Sequence, residues 1–193
     1  KGSAACTAGT GDFLFTTVVN VQDSVTTSTE FQTIISTGAG TPSWRCHILK
    51  VDDGAGGYTA TIYHSFGSAG VSASTSADLM LSGGWLILCF YRVNGYIGIK
   101  LNGEDFVELS LPVTSDMDPT SGVPVTLLAL KDGGKPLRGL FAEAIFTEAT
   151  AAEDLTDDTY RKKVEGYLAW KYGLQDNLPA SHTYYSSPPR HVA

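Results

Sequence analysis

Apolar residues in this chain come in short runs bounded by turn residues. The runs are DFLFTTVVNVQ (12–22), FQTIIST (31–37), RCHILKV (45–51), YTATIYHS (58–65), WLILCFYRV (85–93), YIGIKLN (96–102), DFVELSL (105–111), PVTLLALK (124–131) and LRGLFAEAIFTEA (137–149), with GVSAST (70–75) as a weaker tenth. Most are rich in Val, Ile, Thr, Phe or Tyr, so each reads as a strand. Asp53-Gly54, Asn94-Gly95, Asn102-Gly103 and Asp132-Gly133 lie between apolar runs. Such pairs tolerate the positive φ of tight hairpin turns, so consecutive strands pair antiparallel in several places. No helical crossover of the kind parallel strands require separates them. The pattern predicts an all-β fold of two packed antiparallel sheets.

Two segments depart from this pattern. WLILCFYRV is apolar on both faces, with Trp85, Ile87, Cys89 and Tyr91 on one and Leu86, Leu88 and Phe90 on the other. Both faces must therefore be covered, by the opposite sheet and by a helix, a loop or another subunit. Near the C-terminus Tyr160, Val164, Tyr167, Leu168 and Lys171 recur at helical spacing. Thr156 as cap, Asp157 and Asp158 near the positive end and Gly173 at the left-handed stop predict a helix over 156–172. Asp157 with Arg161 and Asp158 with Lys162 are candidate i,i+4 pairs on it. Gly166, unfavourable in mid-helix, points to close approach by a sheet. The tail, 174–193, with three prolines and adjacent tyrosines, predicts an extended segment anchored by Leu178 and Tyr184. Residues 1–11, small and without pattern, read as an N-terminal arm, which leaves 12–193 as one domain whose sandwich ends at 149.

Composition narrows the partners. Thirteen Lys and Arg against 20 Asp and Glu give a net charge of −7, with no dense basic run, which argues against nucleic acid. The longest apolar run is too short for a membrane span, and no signal-like segment opens the chain. It starts at Lys1, which implies processing or a fragment. Cys6, Cys46 and Cys89 have no metal-like spacing and read as buried free thiols. None of the four histidines is paired at i,i+4, which leaves zinc little support.

The run GLFAEAIFTEATAAEDLTDDTYRKKVEGYLAWKYGLQDNLPASHTYYSSPP, 139–189, carries a resemblance. Its Gly139 to Glu143, Val164 to Leu174, and Leu178, Pro179, His182 and Tyr184 resemble the closing segment of concanavalin A-like, laminin-G-like jelly-roll domains of bacteriophage virion and bacterial surface proteins. GWLILCFYRVNGYIGIKLNG, upstream, looks like the Trp-led central strand of that family and the hairpin after it. The resemblance implies a jelly-roll sandwich capped by its C-terminal helix. It further implies a non-catalytic structural and adhesion module of a virion, either a head decoration or a fibre-like protein, with other virion subunits as partners. A homo-oligomer and weak contact with a host-surface glycan fit the same reading. The alternatives are a secreted or cell-surface, monomeric, lectin-like carbohydrate-binding domain and, third, a glycan hydrolase.

Chemistry is sparse. Glu104, Asp105 and Glu108 lack the one-face spacing of retaining glucanase carboxylates, because Glu104 and Asp105 point to opposite faces of a strand. No nucleophile elbow occurs, and GAGG (54–57) precedes no helix, so the chain is expected not to be an enzyme. The family resemblance places sugar or calcium in rim loops. The glycan candidates are Trp44, Tyr58, Asp52 and Asp53; the metal candidates are Asp116 and Asp118, with calcium optional and no cofactor required. Leu86, Leu88, Phe90 and Trp170 are the candidates for contact with a partner subunit, Trp170 with the chain's own tail as the alternative.

Overall fold

In the computed structural model the described residues are 11–22, 30–37, 44–52, 58–66, 69–76, 82–108, 125–129, 135–149 and 155–190. Among the described residues there are ten strands: β1 Phe13–Gln22, β2 Glu30–Thr37, β3 Trp44–Asp52, β4 Tyr58–Phe66, β5 Ala69–Ser76, β6 Ser82–Val93, β7 Tyr96–Leu101, β8 Glu104–Glu108, β9 Val125–Leu127 and β10 Gly139–Glu148. They form two five-stranded antiparallel sheets, ordered β10-β1-β6-β7-β8 and β5-β4-β3-β2-β9. The β6–β7 and β7–β8 turns use Asn94-Gly95 and Asn102-Gly103, all four residues at positive φ. Asp53-Gly54 and Asp132-Gly133 lie outside the described residues.

The core sits between the sheets. Phe13, Phe15 and Val19 of β1 and Leu86, Leu88 and Phe90 of β6 meet Trp44, Cys46 and Ile48 of β3 and Ala60 and Ile62 of β4. Leu86, Leu88 and Phe90 are therefore inward-facing core residues, not a partner surface. The register sets this, because Leu86 and Phe90 lie beside Val19 and Phe15, and residues opposite each other in a ladder share a face. Trp44 is fully buried, edge-on to Phe13 with ring centroids 5.2 Å apart, which rules out stacking on an exposed sugar. Cys46 and Cys89 are buried free thiols, and burial pushes Cys89 up to about 12; Cys6 lies outside the described residues.

The second face of β6 is covered by helix α1, Asp158–Tyr172, which makes the molecule three layers deep. Val164, Leu168 and Ala169 of α1, with Leu174 and Leu178 beyond it, pack on Val18 and Ile87. Cys89 and Tyr91 are covered by Leu155 and Tyr160. Asp157, rather than Thr156, caps the helix, its carboxylate accepting the Thr159 N–H at 2.7 Å. Gly173 (φ 69°) stops it, and the Leu174 N–H returns to the Ala169 carbonyl at 2.7 Å, a closure that places Leu174 against the helix's apolar face.

Instead of running extended, the tail folds back through a 3₁₀ turn at Gln175–Asn177 and successive tight turns. Leu178 and His182 are buried, and Trp170 donates its indole N–H to the Tyr184 carbonyl at 2.8 Å. Trp170 is thus committed to the chain's own tail. The partner that approaches Gly166 is likewise the tail and not a sheet, since a Cβ there would lie 2.6 Å from Tyr184 Cβ.

Two opposed effects meet at Gly166. Alanine is better in a helix by about 1 kcal/mol, but overpacking costs about 1–3 kcal/mol. Gly166→Ala is expected to lower the urea midpoint and to expose residues 179–190 to protease. In a Tyr184→Gly background, where the colliding Cβ is gone, the same substitution is expected to raise the midpoint. A higher midpoint for Gly166→Ala alone would show that the tail does not pack there.

Candidate functional site

A cleft of about 430 Å³ opens on the outer face of the sheet that carries α1, beside the start of that helix. Leu14, Tyr91, Val93, Val107 and Leu155 make its apolar wall, and Lys100, Asp105, Thr156, Asp157, Asp158 and Arg161 its polar one. Its volume falls within the ~300–1,000 Å³ usual for small-ligand sites.

The floor follows from one glycine. Tyr91 lies opposite Gly98 in the β6–β7 ladder, and a Cβ at Gly98 would come within 2.2 Å of the Tyr91 hydroxyl. The missing side chain lets the ring lie flat across β7, and Lys100 Nζ then sits 5.7 Å from the ring centroid. Lys100 and Asp105 are paired across the β7–β8 hairpin and joined by an ion pair. Burial, then the charge of Arg161, hold the Lys100 ammonium below its ordinary value.

Arg161 forms the opposite side and is fixed from two directions. Its guanidinium bonds Asp158 at 2.8 Å in front and Glu165 at 2.6 Å behind, and Glu165 reaches His182 Nε2 of the tail at 3.3 Å. Glu165 is wholly buried and His182 nearly so. The expected Asp157–Arg161 pair does not form, because Asp157 is occupied as the cap, whereas Asp158 and Lys162 do pair, at 3.6 Å. Burial alone would raise the Asp158 carboxyl, but the bonds and charges of Arg161 and Lys100 hold it below its ordinary value. Burial works against the Arg161 guanidinium, while Glu165 and Asp158 raise it above its ordinary value. The cleft thus presents fixed ionised donors and acceptors around an apolar floor.

Of the sequence candidates, Trp44, Trp170, Leu86, Leu88 and Phe90 do not line this cleft. Asp52 ends β3 and Tyr58 begins β4, paired across that hairpin, while Asp53, Asp116 and Asp118 lie outside the described residues. Among the described residues no three His, Cys, Asp or Glu side chains converge as metal ligands. Gly98 was the signal available in the sequence: a strand glycine marks close approach, and the Asn94-Gly95 turn sets it opposite Tyr91.

No protein-family model and no curated protein sequence matches the chain. Solved structures do match its fold. The enzymatically active domain of tailspike protein 2 from bacteriophage CBA120 superposes with a TM-score of 0.58 at 16% identity, covering 96% of this chain and 26% of that one. A putative carbohydrate-binding protein from Bacteroides ovatus gives 0.53 at 18% identity, over 76% of this chain and 40% of that one. The CBM40 domain of the Ruminococcus gnavus IT-sialidase, bound to α2,3-sialyllactose, gives 0.50 at 15% identity, over 77% and 79%. The chain therefore spans about a quarter of the tailspike domain, and at these identities the likeness is one of fold.

Two buried histidines make stability depend on pH. Burial, with the charge of Arg92 and against a bond to the Gly98 carbonyl, pushes His64 down to about 3. Burial, then Arg45 and Lys135, push His47 down to about 4. Both folded values lie below the ordinary 6.5, so on acidification the unfolded chain takes up protons first. Stability is expected to be complete above 6.5 and to fall as pH drops toward 4 and then 3. Urea midpoints at neutral pH and near pH 4.5 test this, with His64→Gln expected to lose less between the two.

Proposed function

We propose that the chain is a non-catalytic glycan-binding adhesion module of a bacteriophage virion, built on a concanavalin A-like, laminin-G-like jelly roll and attached to other virion subunits. The cleft between α1 and β6–β8 carries this reading. Sugars combine apolar C–H faces with hydroxyls that both donate and accept, and the cleft sets an apolar floor between Lys100 and Arg161 as donors and Asp105, Asp157 and Asp158 as acceptors. The fold likeness to a phage tailspike domain supports the virion setting, and that to two carbohydrate-binding proteins supports the ligand class. Display in many copies would turn a weak single site into useful avidity.

The non-catalytic part rests on the state of the cleft carboxylates. A glycosidase general acid needs a raised pKa. Asp158 is held low, Asp105 is tied to Lys100 and Asp157 to the helix N-terminus.

An array of bacterial surface polysaccharides and neutral oligosaccharides, probed with the full chain, tests the reading. Binding without release of reducing ends is expected. Hydrogen bonds to charged groups contribute about 1.5–3 kcal/mol, so Lys100→Gln with Asp105→Asn should weaken a positive ligand by about 10-fold or more. An array without a positive ligand, or affinity unchanged in the double variant, would contradict it.

A further inference from the structure

The other sheet carries a second, smaller pocket on its outer face. It measures about 120 Å³ and is lined by Phe31, Thr33, Arg45, His47 and Lys135. Strand alternation puts Arg45 and His47 of β3 there, opposite in direction to the core residues Trp44, Cys46 and Ile48.

His47 is 8% exposed and both faces of its ring are taken, by Tyr63 stacked at 4.7 Å and Phe31 tilted at 5.4 Å. Only the ring edge remains for a ligand. Its Nδ1 is buried and has no hydrogen-bond partner among the described residues. An unpaired buried polar atom costs about 1–3 kcal/mol, and one beside a pocket can be satisfied by a group that enters it.

Charge says what kind of partner. The protein carries −7 overall, yet Arg45, Lys135 and His47 converge here, and no carboxylate is among the described lining residues. Arg45 Nε makes a long bond, 3.4 Å, to the Ser65 hydroxyl, and Lys135 Nζ rests 4.1 Å from the Phe31 ring centroid. The backbone at that lysine is strained. Lys135 has φ 51°, uncommon for a side chain other than Asn, Asp or His, and it directly precedes Pro136. The Thr33 N–H bonds its carbonyl at 2.9 Å, and the Arg138 N–H bonds Gln32 Oε1 at 2.9 Å, so the strained segment is pinned to β2. Strain of this kind costs about 1–3 kcal/mol and persists where the surroundings impose it.

We propose that this pocket is an oxyanion site that takes one carboxylate or phosphate group of an acidic saccharide, with Arg45 and Lys135 as charge partners and the His47 ring edge as hydrogen-bonding partner. At 120 Å³ it admits the anionic group and not a sugar ring, which would lie outside it. The saccharide half of the proposal rests on the glycan-binding reading above; the oxyanion half does not.

The test follows the His47 imidazole resonances by NMR while the full chain is titrated separately with glucuronate, glucose, acetate and phosphate. Glucuronate is expected to give a saturable shift, glucose none, and acetate and phosphate a shift with affinity weaker by about 10-fold. Arg45→Gln and Lys135→Gln, at positions outside the core, should each abolish the glucuronate shift. Acetate or phosphate binding as tightly as glucuronate would keep the oxyanion site and overturn its assignment to a saccharide, leaving the Lys100–Asp105 cleft untouched. No saturable shift with any anion, a glucose shift equal to that of glucuronate, or a shift that survives Arg45→Gln would overturn the site itself.

Discussion

A central strand that is apolar on both faces must be covered twice, and the rest of this molecule is arranged around that requirement. The inner face of β6, Leu86, Leu88 and Phe90, is met by the opposite sheet, as in any sandwich. The outer face, Ile87, Cys89 and Tyr91, has no second sheet, and α1 with the segments flanking it fills that role. A single helix is narrower than a five-stranded sheet, so it covers β1, β6 and part of β10, the tail reaches the β7–β8 turn, and the rest of β7 and β8 beside the helix start is left open. The cleft is that remainder.

The helix brings a buried ionic cluster with it. Arg161, Glu165 and His182 sit at the junction of helix, cleft and tail, and the cost of removing a buried charge's partner is about 3–5 kcal/mol. Such a cluster adds little net stability over an apolar substitute. What it does here is geometric: Glu165 fixes the guanidinium from behind while Asp158 fixes it from the cleft, and His182 couples the same carboxylate to the tail. The tail's turns, held by Trp170 and by the space above Gly166, thereby bear on the position of a cleft residue more than 20 positions earlier in sequence.

The strand pattern, the Asn-Gly turns, the helix and its glycine stop were all legible in the sequence because they depend on local rules of period and backbone conformation. The two-sided character of β6 was legible as well, but not which face turned inward. That depends on register against β1, and a one-residue shift would exchange Leu88 for Ile87. Trp44 illustrates the same limit: a tryptophan near Pro42 reads more readily as a core or loop-packing residue than as a rim platform, and the pairing of β3 with β2 and β4 is what buries it. Arg161 and Glu165 were harder still. The i,i+4 partner read for Arg161 was Asp157, whereas the buried partner is Glu165, which the tail reaches through His182.

Ligand is proposed to bind on the open part of the sheet beside α1. An amide chemical-shift map of the full chain, recorded with an oligosaccharide selected by affinity, tests it most directly. Shifts are expected to concentrate at residues 91–93, 98–105 and 155–161, with the inter-sheet core unmoved. Shifts gathered instead at the β3–β4 hairpin around Asp52 and Tyr58, with the cleft unperturbed, would contradict it.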